Sequence, residues 1–193
     1  MKISSQHIQR HNEAYLPAHR KQWQVLADQH PGLKEQLSLL QQFQIAIPSW
    51  ALGTGGTRFA RFSGAGEPRH LKEKIEDVGL LHALNRASGA ISLHIPWDIP
   101  EQTSSIRDYA ASFGLQFDAI NSNTFQDQPG QPLSYKFGSL HHVDKKVRRQ
   151  AIRHNLDVIE YGKALGSSAL TIWLSDGSSY PGQLSFRGAF ERT

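Results

Sequence analysis

The sequence predicts a parallel α/β fold: about four βα units, the N-terminal half of a (β/α)8 TIM barrel, preceded by a helical extension. Three observations predict it. Short apolar runs alternate with segments of helical period, a pattern that implies parallel strands joined by right-handed crossovers. A long, chemically varied loop follows every apolar run, which suits a barrel, where the loops at the C-terminal face of the strands build the active site. The phosphate-binding fingerprint of an open doubly wound sheet is missing. Gly53, Gly55 and Gly56 follow the first run, but their spacing is GxGG and no acidic residue closes the next strand.

Residues 1–42 form the extension. Gln6 to Gln29 reads as helical, polar apart from Ile8, Tyr15, Leu16, Trp23 and Leu26, and Pro31-Gly32 breaks it. Helix resumes from Leu33 to Gln42, with Leu33, Leu37 and Leu40 on one face. Residues 43–193 carry the barrel units. Ile45–Trp50 is the first strand, and Leu71–Arg86 a helix with Leu71, Ile75, Val78 and Leu81 inward. Ala90–Trp97 is the second strand, and Ser104–Phe113 a helix that Gly114 stops. Leu115–Asn121 is the third strand. The helix Val147–Leu165 points Ala151, Leu156, Ile159 and Leu165 inward and is closed by Gly166. Ala169–Leu174 is the fourth strand, and a last helix begins near Leu184. A whole barrel needs eight strands and about 250 residues. The chain therefore reads as half of one, cut within its final helix as a gene fragment, a frameshifted reading frame or an incomplete sequence.

The 193 residues suffice for one domain with a sizeable core. A hydrophobic content of 38% excludes a disordered chain. No run approaches the roughly 18 apolar residues of a membrane helix, and the start has no secretory pattern. The absence of cysteine removes thiol catalysis, disulfides and Cys-ligated zinc. The expected compartment is cytoplasmic. The net charge of +4 is spread along the chain; its densest run, Lys145, Lys146, Arg148 and Arg149, reads as a solvated helix face, so neither nucleic acid nor a membrane is an expected partner.

The residues that carry chemistry lie mostly in the loops after strands. After the first strand, the Gly-rich loop places Arg58, Phe59, Arg61 and Phe62 in alternation, as a plain surface loop or as part of a site. After the second come His94, Trp97 and Asp98. A histidine at a strand mouth can move a proton to or from a bound substrate, and Trp97 offers a flat wall for a sugar ring. The alternative for His94 is a core histidine bonded to a backbone carbonyl. Asn121, Ser122, Asn123 and Thr124 follow the third strand as hydrogen-bonding groups that suit hydroxyls or simply end the strand. Trp173 lies on the fourth strand, with Asp176 as hydrogen-bond acceptor or turn cap. The adjacent His141 and His142 have no carboxylate at metal spacing and read as surface residues. Walker, HExxH and GxSxG motifs are absent.

Taken in order, PSWALGTGGTRFARF, SLHIPWD, FDAINSNTF, SYKFGSLHH and WLSDGSSYPGQ resemble the L-rhamnose isomerase family, in its Pseudomonas-type bacterial branch. The resemblance covers residues 45–193. It implies a xylose-isomerase-like barrel, a homotetramer, and interconversion of an aldose with its ketose on two divalent ions, typically Mn2+, that bind the open sugar and polarise its carbons. The implied substrate is L-rhamnose or a related aldose or ketose. Carried over by motif, His94 assists ring opening, Trp97 and Trp173 wall the substrate, and Phe59 reaches a neighbouring subunit's pocket. The family's metal ligands lie on strands five to eight, which this sequence lacks, so no metal ligand is expected here. Two functions follow: a sugar isomerase represented by a segment inactive alone, or a non-catalytic half-barrel binding or assembly module. An endonuclease of the same barrel superfamily would need metal ligands on early strands, and His94 alone does not supply them.

Overall fold

The computed structural model describes residues 4–53, 64–175, 177–178 and 182–193. Three helices come first: α1 (Ser5–Glu13), α2 (Leu16–Gln29) and α3 (Leu33–Gln42). The expected helical run from Gln6 to Gln29 is therefore two helices. Pro17 sits in the first turn of α2, where its missing N–H costs nothing, whereas inside a continuous helix its ring would clash with the preceding turn. Gly32, at φ 90°, separates α2 from α3. Neither α1 nor α2 buries a residue, and Val25, Leu39, Leu40 and Phe43 are exposed.

Then strands and helices alternate. They are β1 (Ala46–Pro48), a 3-10 turn (Ser49–Ala51), α4 (Leu71–Asn85), β2 (Ala90–Ser92), β3 (His94–Ile95), α5 (Thr103–Ser112), β4 (Gln116–Phe117), β5 (Ile120–Thr124), α6 (Lys145–Leu165), β6 (Leu170–Leu174) and α7 (Phe186–Arg192). All pairings are parallel: β1 with β2, β2 with β4, β3 with β5, and β5 with β6. Only Leu93 separates β2 from β3, and Asp118-Ala119 separates β4 from β5. These breaks are local bends in two longer strands, bridged by Asp118 N–H to the Ile91 carbonyl at 3.0 Å and Asn121 N–H to the Leu93 carbonyl at 2.8 Å. Four strand positions thus lie side by side in chain order. The chain is a mixed α/β protein with parallel sheets, as expected.

Register assigns the two faces, because paired residues in neighbouring strands point to the same side. Ile91, Leu93, Ile95 and Ile120 form one core with Ile75 and Val78 of α4, Ile106 and Ala110 of α5, and Val158 and Leu165 of α6. The opposite face carries His94, Asn121 and Thr171 in one row, and Asn123 beside Trp173 in the next.

The structure corrects three inward assignments. Leu81 is exposed on α4, whose buried residues are Ile75, Val78 and Gly79. On α6 the buried stripe is Val147, Ala151, Asn155, Val158, Gly162 and Leu165, which leaves Leu156 and Ile159 exposed together with Ile152. Close approach decides the stripe: a Cβ added at Gly162 would lie 3.3 Å from Ile120 Cγ1, so the face bearing glycine and alanine, and not the most apolar one, meets the sheet. The third strand extends to Thr124, so Asn121–Thr124 are buried strand residues and not a loop after it.

Candidate functional site: an aromatic enclosure around His94

Each strand position delivers one aromatic ring at or beyond its C-terminal end. Trp50 lies in the 3-10 turn after β1, Trp97 two residues after β3, Phe125 directly after β5, and Trp173 on β6. All four surround the His94 ring. Centroid distances from His94 are 4.3 Å to Trp97, 5.3 Å to Trp50, 5.9 Å to Phe125 and 6.0 Å to Trp173. The rings also contact one another, with Trp50 6.3 Å and Phe125 5.9 Å from Trp173. Trp173 is held in place on two sides: its Nε1–H donates to Asn121 Oδ1 at 2.8 Å, and Thr124 Oγ1 donates to its carbonyl at 2.6 Å. Asn121 is fixed in turn by its Nδ2 donating to the Leu93 carbonyl at 3.1 Å.

His94 is 3% exposed. Burial pushes its pKa down to about 4; the Asp98 carboxylate opposes this, while His154 and Lys74 add to it. The ring is therefore neutral at pH 7. Among the described residues its Nε2 is buried with no hydrogen-bond partner. His82 Nδ1 and His154 Nε2 are unpaired in the same way, so it is the surrounding aromatic rings, and not the unpaired nitrogen alone, that make His94 a candidate partner for a ligand hydroxyl. His154 of α6 lies behind β3, bonded to the Ile95 carbonyl, and burial lowers its pKa as well.

Asp98 holds the floor of the enclosure. Its carboxylate accepts from Ser49 Oγ, from His94 N–H at 2.9 Å and from Lys74 Nζ at 2.7 Å. Its own N–H returns to the His94 carbonyl at 3.0 Å. The Lys74–Asp98 pair is buried, with side-chain exposures of 14% and 2%.

The sequence named His94, Trp97 and Trp173, and the structure brings them together. Phe59 and Asp176 lie outside the described residues. Trp50, Phe125, Ser49 and Lys74 were missed. The available signal was an aromatic residue at each strand end; Lys74, half a helix from any motif, gave none. His141, expected on the surface, is 6% exposed. A Cβ on Gly138 would lie 2.6 Å from its Nε2, and its carbonyl accepts from Arg192 Nε at 2.7 Å, so the 137–142 loop folds over it and α7 is tied to that loop. His142 instead supports the start of α6, its Nδ1 accepting from Asp144 N–H at 2.9 Å.

Divalent ions need several converging oxygen or imidazole donors. Among the described residues no three His, Asp or Glu side chains converge, and Asp98 is already committed to Lys74, Ser49 and the His94 backbone. The described residues therefore do not make a two-ion centre by themselves.

The chain is 57% identical over 150 residues to a probable sugar isomerase of Rhizobium meliloti, a match covering 78% of this chain and 35% of that protein. It is 48% identical over 194 aligned positions to a probable sugar isomerase of Mesorhizobium japonicum, covering 98% of this chain and 45% of that protein. The chain is similar to proteins named probable sugar isomerases. It spans less than half the length of either relative. No family model matches it. Among the described residues, no helix is long and apolar enough to cross a membrane.

Proposed function

We propose that this chain is the sugar-facing segment of an aldose–ketose isomerase of the L-rhamnose isomerase type, and that it forms the first four units of a (β/α)8 barrel, with residues 1–42 as an extension. The observation that carries the reading is the enclosure: four aromatic rings around a buried, neutral histidine with an unused nitrogen, all at the same end of consecutive parallel strands. Flat apolar walls with one polar group between them suit the C–H faces and hydroxyls of a sugar. The similarity to probable sugar isomerases supports the same reading.

In this reading Trp97 and Trp173 wall the sugar, Phe59 completes a neighbouring subunit's pocket in a homotetramer, and His94 meets the ring oxygen end of the substrate. A neutral imidazole at pH 7 serves there as hydrogen-bond partner and proton acceptor during ring opening. Manganese or another divalent ion would polarise the open sugar; its ligands belong to residues beyond the described ones. The enzyme acts in the cytoplasm, on L-rhamnose or a related sugar.

The test is a chimera in which these 193 residues replace the aligned segment of the Mesorhizobium relative, assayed for conversion of L-rhamnose with added manganese. The parent chimera turns over. His94→Asn lowers kcat/KM by roughly 10²–10⁴-fold, the loss typical of an acid–base group, and leaves manganese affinity unchanged. Trp97→Ala acts mainly by raising KM. An active chimera in which His94→Asn stays within a few-fold of the parent refutes the ring-opening role. A second reading, a half-barrel assembly module without catalysis, draws on the uncovered β6 strand. A well-folded chimera with no turnover on any aldose would favour it.

A further inference from the structure

We propose that Asp98 is the positioning residue of the His94 enclosure, the single carboxylate that fixes His94, Trp97 and Trp50 relative to one another. This deepens the sugar-site reading and rests on it for its functional meaning. The structural claim needs no sugar to be tested.

Three geometric observations carry it. First, His94 and Asp98 close a five-residue turn reciprocally: His94 N–H donates to Asp98 Oδ2 at 2.9 Å, and Asp98 N–H donates to the His94 carbonyl at 3.0 Å. Trp97 lies inside that turn, so the turn sets both the imidazole and the indole, whose centroid is 4.3 Å away with the rings tilted by 37°. Second, the same Oδ2 accepts from Ser49 Oγ, the residue before Trp50, whose ring stands edge-on to His94 at 81°. This ties the turn after β1 to the turn after β3. Third, Lys74 reaches from α4 to Oδ1, neutralising a carboxylate that is 2% exposed. A buried carboxylate without such a partner is strongly unfavourable, so α4 supplies the charge that lets the strut exist. The groups facing His94 electrostatically are Asp98, His154 and Lys74.

Two roles for Asp98 give opposite signs in one measurement. The Asp98 charge raises the His94 pKa. If the carboxylate did nothing beyond this, Asp98→Asn at fixed geometry would make His94 harder to protonate. If it positions the ring, its loss opens the enclosure to water, relieves the burial that holds the pKa down, and makes His94 easier to protonate.

The readout is the ring 15N shift of His94 in the full 193-residue chain, histidine-labelled and assigned by the His94→Gln spectrum, at pH 5.5. With a pKa of about 4, the parent ring is about 3% protonated there. We expect about half or more in Asp98→Asn, and a smaller rise in Ser49→Ala, which keeps the buried ion pair. Near-UV circular dichroism from the tryptophans weakens in the same order. A protonated fraction that stays at or falls below the parent value in both variants overturns the proposal, as does lost thermal stability with unchanged His94 shifts. Where Asp98→Asn gives no folded protein, Ser49→Ala decides alone. A separate saturation-transfer titration with L-rhamnose tests the sugar reading. Absence of binding there, with the His94 response present, refutes the sugar site and leaves the positioning role standing.

Discussion

Replacing His94 with glutamine should flatten the pH dependence of the chain's stability on the acid side of neutrality, and the size of the effect follows from burial. In the unfolded chain an imidazole titrates near its ordinary 6.5; in the fold it stays neutral until about pH 4. Between those values the unfolded state holds the extra proton, so stability rises with pH. This contribution is fully present above pH 6.5, is lost as pH falls through the window, and is constant below about 4. At about 1.4 kcal/mol per pH unit it amounts to at most about 3.4 kcal/mol over the window from 6.5 to about 4, and to about 2.5 kcal/mol by pH 4.5. That is a large share of a typical domain's 5–15 kcal/mol.

The assay is urea unfolding of the parent and His94→Gln at pH 7.5, 6.5, 5.5 and 4.5, followed by tryptophan emission. The other ionisable groups are common to both proteins, among them His154, whose pKa burial also lowers. The parent should lose about 2.5 kcal/mol more than the variant between pH 7.5 and 4.5. A parent–variant gap that is the same at all four pH values would refute the claim that His94 is buried neutral, and with it the enclosure as a dry site.

The isolated chain with added manganese should show no aldose–ketose turnover, since its described residues bring no three ligands together; L-rhamnose conversion by a preparation free of host isomerase would contradict this. The chain should self-associate at micromolar concentration, because Ile172, Trp173 and Leu174 of β6 are each about two-fifths exposed, as are Ile152, Leu156 and Ile159 of α6; a sedimentation profile of pure monomer over that concentration range would count against it. Gly177→Ala should destabilise the 137–142 loop, because Gly177 has φ +69° and its added Cβ would meet the Phe137 carbonyl carbon at 2.5 Å; unchanged amide exchange at Gly138 would show that the loop can give way.

Much of this architecture could be read from residue order, and the misses have physical causes. Ile91, Leu93 and Ile95 alternate with Ser92 and His94 as a strand covered on one side by helices demands, so the strand and its polar face were both legible. The faces of α6 were not. Apolar period placed Leu156 and Ile159 inward with Ala151 and Leu165, whereas the sheet selected the stripe that runs through Ala151, Gly162 and Leu165, where the helix can come close. Likewise INSNT looks like the end of a strand because asparagine and serine end strands, yet all five residues are buried within β5. Their polarity is used across the sheet: Asn121 binds the Trp173 indole, and Thr124 the Trp173 carbonyl. A pairing between residues about fifty positions apart has no local signature. The same holds for Lys74, whose partner Asp98 lies 24 positions further along the chain, in the turn after β3.

The polar face also bears on why the enclosure exists at all. The interior of a closed barrel is ordinarily filled by branched apolar side chains. Here the face turned away from the helices carries His94, Asn121, Asn123, Thr171 and Trp173, and Asn123 Oδ1 is buried among the described residues without a hydrogen-bond partner, like His94 Nε2. Leaving such atoms unpaired costs about 1–3 kcal/mol each. A fold that needed only to pack would place leucine or valine there, as it does on the helix side with Ile91, Leu93 and Ile95. Aromatic walls exclude water from His94 and hold its ring neutral, while the Lys74–Asp98–Ser49 strut keeps the turn that carries it rigid. Unpaired buried atoms are not confined to this face, since Ser122 Oγ, in register with Ile95 on the helix side, is another. Under the function proposed above, this face would present hydrogen-bonding atoms to a ligand that brings its own hydroxyls, as a sugar does.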